Sequence, residues 1–196
     1  MFIQVMQGKT SQRDQLRTLA EAWRDEGGVG AVGYLGGTYG VTDDGDFIGV
    51  VRFTSREDAM ANSARPETGA FAERMAALMD GPVEFHDCED VTTFLDGGSD
   101  QAGFVQVIRG RTDEPERAKA MVTDTGELRE MRPEIIGGTL ALEPDGTFFQ
   151  TVYFTDEEMA RKGEQLEPPQ EVRAELEAIM ADAAFYDLTT PWFTSA

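Results

Sequence analysis

Apolar and polar side chains alternate along Phe2-Ile3-Gln4-Val5-Met6-Gln7-Gly8, the period of a β-strand. The period then changes. Leu16, Leu19, Ala20 and Trp23 recur at three- and four-residue steps, which predicts a helix that Thr10 or Ser11 can cap and Gly27-Gly28 stops. Residues 30–40 predict a glycine-rich strand, Thr42-Asp43-Asp44-Gly45 a tight turn, and Phe47 to Phe53 the next strand. Ser55 with Asp58 three residues on resembles a capping box for a helix over 56–63. Pro66 disfavours helical geometry at Arg65 and separates that helix from a second piece over 68–79 carrying Phe71, Met75, Leu78 and Met79. Val83 to Cys88 predicts a last strand, and the order is β-α-β-β-α-β.

The same order recurs. Phe2–Thr10 returns as Phe104–Thr112 with five of nine positions identical. Gly36-Gly37-Thr38 returns as Gly137-Gly138-Thr139, Asp44-Gly45 as Asp145-Gly146, and Val51-Arg52-Phe53-Thr54 as Val152-Tyr153-Phe154-Thr155. Phe85-His86-Asp87 matches Phe185-Tyr186-Asp187. The second half predicts strands over 104–110, 134–142, 147–154 and 184–188, and helices over 114–130, 156–163 and 170–182, with Pro168-Pro169 in the role of Pro66. This divides the chain into a first repeat over 1–95, a Gly-rich polar linker over 96–102 and a second repeat over 103–196.

Each repeat reads as a ferredoxin-like split β-α-β unit. Its helices cover one face of its sheet and leave the other bare, so two bare apolar faces in one chain are expected to bury each other. The predicted fold class is therefore α+β, with two tandem ferredoxin-like (βαββαβ) repeats packed sheet to sheet as an intramolecular dimeric α+β barrel. Phe47, Val51 and Phe53 share one strand face, and Ile48, Val50 and Arg52 the other. Period 2 alone does not say which face meets the helices.

Composition narrows the function. The 196 residues carry 37 acidic and 17 basic side chains, a formal charge of −20, of which −10 falls in each of residues 1–100 and 101–196. Such a chain repels nucleic acid and anionic membrane surfaces. The amino terminus has no signal-peptide pattern and no apolar run is long enough to span a membrane, so a cytoplasmic protein is expected. One cysteine makes no internal disulfide, and one histidine cannot build a multi-histidine metal site. Asp43-Asp44-Gly45-Asp46 matches no EF-hand spacing and reads as a solvated hairpin. No phosphate loop, nucleophile elbow or dinucleotide fingerprint is present, so neither a metal nor a cofactor is expected.

The topology, the repeat, and the pattern Phe53-Thr54-Ser55…Ala59 with Phe154-Thr155…Ala160 resemble the dimeric α+β barrel superfamily. More narrowly, the chain resembles its antibiotic-biosynthesis-monooxygenase-like group, in a tandem form of actinobacterial type. The resemblance implies a monooxygenase-like protein that binds or oxidises a small aromatic or polyketide-type molecule, as a cofactor-independent enzyme. The alternative it implies is a non-catalytic small-molecule-binding or interaction protein, in either case a monomer (a pseudo-dimer) or a homodimer. Haem-degrading members use an Asn, a Trp and a His on a helix. The single histidine here falls on a predicted strand, so that set does not carry over.

Five residues are candidates for chemistry. His86, the chain's one imidazole and so the one side chain of a type suited to proton transfer near neutrality, is the candidate general base; its ordinary reading is a strand histidine bonded locally or facing water. Arg52, a charge amid apolar strand neighbours, could hold a developing anion or an ion-pair partner. Trp23 could line a pocket for a flat ligand or simply fill the core. Asn62 and Arg65, at the helix break before Pro66, could form the mouth of that pocket or a helix cap. Trp23, Arg52 and His86 have no equivalents in the second half, which places at most one site per chain, between sheet and helices of the first repeat. Gln4 and Gln106 occupy matching strand positions; if they face the inter-sheet core their amides must pair, and pairing with each other across a pseudo-two-fold is one way to do so.

Overall fold

The computed structural model describes residues 1–26, 30–123, 126–166, 173 and 182–195. The elements run β1 (Phe2–Lys9), α1 (Arg13–Glu26), β2 (Tyr34–Val41), β3 (Asp46–Phe53), α2 (Arg56–Ser63), α3 (Pro66–Ala76), β4 (Glu84–Cys88) and β5 (Asp90–Leu95). They continue as β6 (Phe104–Arg111), α4 (Pro115–Thr123), α5 (Gly126–Met131), β7 (Ile135–Leu142), β8 (Thr147–Phe154), α6 (Glu157–Glu164), β9 (Ala184–Leu188) and β10 (Trp192–Ser195). The Gly27-Gly28 stop, the Pro168-Pro169 break and nearly all of the helix expected over 170–182 lie outside the described residues.

The strands form two five-stranded sheets, ordered β10-β2-β3-β1-β4 and β5-β7-β8-β6-β9. The runs β2-β3-β1-β4 and β7-β8-β6-β9 give each half the ferredoxin-like α+β arrangement expected from its element order. The fifth strand of each sheet was not foreseen. β5, between the repeats, joins the second sheet; β10, after the second repeat, joins the first. The compact units are accordingly Met1–Asp90 with Thr190–Ala196, and Val91–Thr189.

Local chemistry sets the boundaries. Ser55 accepts from the Asp58 backbone N–H at 3.1 Å and donates back to the Asp58 carboxylate at 2.7 Å, so aspartate replaces the usual glutamate of a capping box in α2. Asp156 caps α6 by accepting from the Met159 N–H at 2.8 Å. Pro66 opens α3 at its first turn, where a missing N–H costs nothing.

The helix-facing side of the first sheet carries Phe2, Met6, Tyr39, Val41, Phe47, Val51, Phe53 and Trp192, packed with Leu16, Leu19 and Ala20 of α1 and Met75 of α3. In the second unit Phe104, Val152 and Phe154 pack with Ala160 of α6, and Phe148 with Ala118 of α4. Strand alternation then puts Ile3, Val5, Ile48, Val50 and Arg52 on the opposite face, all buried.

The two glutamines do not pair with each other. Gln4 shares the helix-facing side with Phe2 and Met6, and stands opposite Asp87 of β4. Its Nε2 donates to the Asp87 carboxylate at 2.8 Å. Gln106 does the same with Asp187 at 2.9 Å and reaches Glu164 of α6 at 3.2 Å. A carboxylate in cross-strand register is a stronger acceptor than a distant amide.

The repeated Gly-Gly pair has a steric cause. A methyl group on Gly138 would overlap the Phe94 ring delivered by β5. One on Gly36 would meet the Thr194 carbonyl of β10 at 3.1 Å, and one on Gly37 would overlap the Tyr39 ring. Gly69, inside α3, has open space where its Cβ would stand. Gly138→Ala is expected to destabilise the fold by about 1–3 kcal/mol through overpacking. Gly69→Ala is expected to stabilise it by about 0.5–1 kcal/mol through the helix-propensity gain. Urea midpoints of the two variants against the parent chain check both signs.

Candidate functional site

On the helix-facing side of the first sheet a chain of hydroxyls is set into the apolar core. β2 places Tyr34 at its first position and Tyr39 near its end, and β10 pairs with β2 so that Trp192 stands opposite Tyr39 and Thr194 opposite Gly37. The Tyr39 ring lies back over Gly37, where only a glycine leaves room for it. Tyr34 Oη shares a hydrogen bond with Thr194 Oγ1 and donates to the Thr194 carbonyl at 3.1 Å. Tyr39 is hydrogen-bonded to both Thr194 and Tyr34. Trp192 and Thr194, two residues apart, share one face of β10. Trp192 is 3% exposed, and its indole Nε1 has no hydrogen-bond partner among the described residues.

Burial holds the Tyr39 phenol well above its ordinary pKa, and the neighbouring Tyr34 adds to the effect. The Thr194 hydrogen bond and the Arg52 charge act in the other direction. Tyr39 is therefore a neutral phenol at physiological pH, able to donate a hydrogen bond but not to abstract a proton.

The five residues singled out in the sequence do not converge on one pocket. Trp23 is buried on α1, with its ring centroid 4.6 Å from that of Phe71 of α3. Phe71 and Tyr34 in turn pack against the core that holds Tyr39 and Trp192. Arg52 and His86 project from the opposite face of the same sheet. Arg52 is 9% exposed, and its Nη1 donates to Thr38 Oγ1 at 3.3 Å. His86 stands opposite Val5 of β1, with its Nε2 3.7 Å from the Glu84 carboxylate. Asn62 of α2 is buried and accepts from Arg65 Nη1 at 3.2 Å, while Arg65 also faces Glu67 at 3.8 Å. This pair closes the α2–α3 junction. Cys88 is buried on the His86 face.

A separate open cleft of about 380 Å³ lies between the start of α1 and the β2–β3 hairpin, lined by Lys9, Thr10, Ser11, Arg13, Thr42, Asp43 and others. It contains none of the five. Of its cations, Arg13 pairs with Asp43 of the lining at 3.6 Å, and Lys9 with Asp46 just outside the lining at 3.1 Å. Among the described residues no three His, Cys, Asp or Glu side chains are grouped to hold a metal, and no helix is long and apolar enough to cross a membrane.

Tyr34, Tyr39, Trp192 and Thr194 were passed over in the sequence, although the repeat carries a signal for the tyrosines. Gly36-Gly37-Thr38-Tyr39 aligns with Gly137-Gly138-Thr139-Leu140, and Tyr34 with Ile135. The second unit is apolar where the first has two phenols.

No family model matches the chain, and no curated protein matches it by sequence. Solved structures do match its fold. A protein from Lactobacillus acidophilus described as a "putative monooxygenase" is similar with a TM-score of 0.74 at 13% identity, over 97% of this chain and 95% of that one. An "anthrone oxidase-like protein" is similar with a TM-score of 0.70 at 12% identity, over 100% of this chain and 93% of that one. A protein described as a major regulator of staphylococcal pathogenesis is similar with a TM-score of 0.53 at 9% identity, over 96% and 98%. The chain thus has the fold of monooxygenase-like proteins, as its sequence resemblance implied, and shares that fold with a regulator.

The Tyr39 phenol gives a pH test with a definite sign. The unfolded chain releases this proton at the ordinary value of 10.0, while the folded chain holds it to higher pH. Its contribution to stability is complete below the unfolded value and is lost as pH rises above it, towards the folded value. Urea unfolding on both sides of that value is expected to show a shallower alkaline loss in Tyr39→Phe than in the parent chain.

Proposed function

We propose that this chain is a monooxygenase-like protein that holds a small, flat aromatic molecule on the helix side of its first sheet. The observation that carries the reading is the buried hydroxyl chain of Tyr34, Tyr39 and Thr194, set in an aromatic core of one unit and replaced by Ile135 and Leu140 in the other. Polar groups in a core cost stability, so their presence in one of two otherwise matched cores is best explained by use. Trp23, Phe71 and Phe53 supply the flat apolar walls such a molecule packs against.

Arg52 has a part in this reading from the other face. Gly36 leaves no side chain between its guanidinium and β2, and the charge already lowers the pKa of Tyr39. The same field would stabilise an oxyanion developing on a ligand held by the hydroxyl chain. His86 lies on that opposite face and does not touch the ligand. An oxidation in this site would therefore begin from a substrate acidic enough to ionise beside Arg52.

The second reading, a binding protein without catalysis, is favoured by one fact. Tyr34, Tyr39 and Thr194 offer hydroxyl groups alone, and the one histidine of the chain, His86, is across the sheet. The similarity in fold to a staphylococcal regulator supports the same view.

Anthrone, a three-ring aromatic ketone, is the first probe. Titration followed by tryptophan fluorescence is expected to saturate, and Tyr39→Phe and Thr194→Val are each expected to weaken binding about five- to tenfold, the worth of one hydrogen bond. His86→Ala is expected to leave binding within about twofold. No saturable change in the parent chain would sink the reading. Oxygen uptake with bound probe separates the oxygenase from the binding protein.

A further inference from the structure

The hydroxyls of Tyr34, Tyr39 and Thr194 bond to one another. The Trp192 indole N–H beside them is buried and has no hydrogen-bond partner among the described residues. Buried donors are nearly always paired, so an orphan within a candidate site calls for an explanation. Thr68 Oγ1 and Thr139 Oγ1 are also unpaired among the described residues, but a hydroxyl can donate or accept and so selects a ligand group less sharply. The Arg161 cluster of α6 is internally matched, to Asp187 at 2.5 Å, Glu164 at 3.0 Å and Glu157 at 3.2 Å. At the open cleft beside α1, Arg13 pairs with Asp43 and Lys9 with the neighbouring Asp46.

We propose that Trp192 is the specificity-determining residue of the first unit, and that its indole N–H donates to a carbonyl-type oxygen of the ligand. The proposal rests on the reading that a flat aromatic molecule binds on this side of the sheet. Three observations lead to it. Trp192 stands directly opposite Tyr39 in the β10–β2 register. It shares its strand face with Thr194, which anchors the hydroxyl chain. An indole N–H donates and cannot accept, so the group it selects must be an acceptor. A hydrocarbon of the same shape would leave the donor as it is now, unpaired. Sites built around a hydrogen bond reject analogues that lack the matching group far more strongly than apolar pockets reject a change of size.

A second consequence follows from where Trp192 sits in the chain. β10 is hydrogen-bonded to the sheet at the edge of β2, from Trp192–Ser195 to Tyr39–Gly36, and packs against α1. A ligand bonded to Trp192 binds the docked strand and not the undocked one. Binding therefore stabilises the β10–β2 pairing by mass action.

The test compares anthrone with anthracene, the same three rings without oxygen, on the whole chain and on Trp192→Phe. The parent chain is expected to prefer anthrone by about tenfold or more, and Trp192→Phe to bind the two within about twofold of each other. Amide exchange at Trp192–Ser195 is expected to slow when anthrone binds. Equal affinity of the parent chain for both probes, or full preference retained by Trp192→Phe, would overturn the role of Trp192. Failure of the parent chain to bind either probe would overturn the underlying reading of the site, and this proposal with it. If Trp192→Phe does not fold, the parent chain decides alone: preference with slowed exchange supports the proposal, and equal binding or unchanged exchange overturns it.

Discussion

The outer edge of each Gly-Gly strand is the constraint on which the rest of the structure depends. A sheet edge left open presents unpaired N–H and C=O groups and invites association. β2 and β7 are closed by β10 and β5, segments that follow the last core strand of the opposite repeat. The closing strand comes close, and side chains on β2 and β7 would be in its way: Gly36 meets the Thr194 carbonyl, Gly137 the Gly97 carbonyl, and Gly138 the Phe94 ring. The glycine pair was the plainest mark of the duplication. Its physical content is the docking of a strand from elsewhere in the chain.

That docking also builds the candidate site. Tyr34 and Tyr39, both on β2, are each bonded to Thr194 of β10, which the closing strand brings to them. The equivalent edge in the second unit is closed by β5 with an apolar ring, Phe94, against a strand carrying Ile135 and Leu140. One closing strand brings hydroxyl and indole groups, the other a phenyl ring. The two units thus share a backbone solution to the edge problem and differ in what the edge delivers to the core. This is where a duplicated fold can specialise without disturbing the strands that define it.

Much of this was legible in the chain and some was not, for definable reasons. β1, β3, β6 and β8 follow from strict alternation, and α2 from Ser55 and Asp58, because these signals are local. β5 and β10 escaped because Asp90–Leu95 and Trp192–Ser195 have no neighbour in sequence to pair with; β10 finds its partner about 155 residues away. The side of the sheet occupied by Arg52 and His86 could not be read from period 2. Only the packing of Phe47, Val51 and Phe53 under the helices puts both residues on the opposite face from Trp23. Trp23, Arg52 and His86 are the chemically conspicuous differences between the halves. Tyr39 against Leu140 is a quieter difference, and its weight appears only when burial shows that a phenol there must be satisfied.

The surface and the core then make consistent demands of a ligand. A charge of −20 spread evenly over both halves lowers the local concentration of anions and favours the approach of neutral or cationic molecules. The core behind that surface offers neutral phenols, a threonine and an indole, with one guanidinium acting through the sheet. A molecule that arrives neutral and carries an acceptor oxygen satisfies both conditions. Should it lose a proton after docking, the Arg52 field favours the resulting oxyanion inside, while the surface opposes its return as an anion from outside. Burial, not the Arg52 charge, dominates at Tyr39: the guanidinium is the smallest influence on a phenol that burial keeps protonated and so a donor.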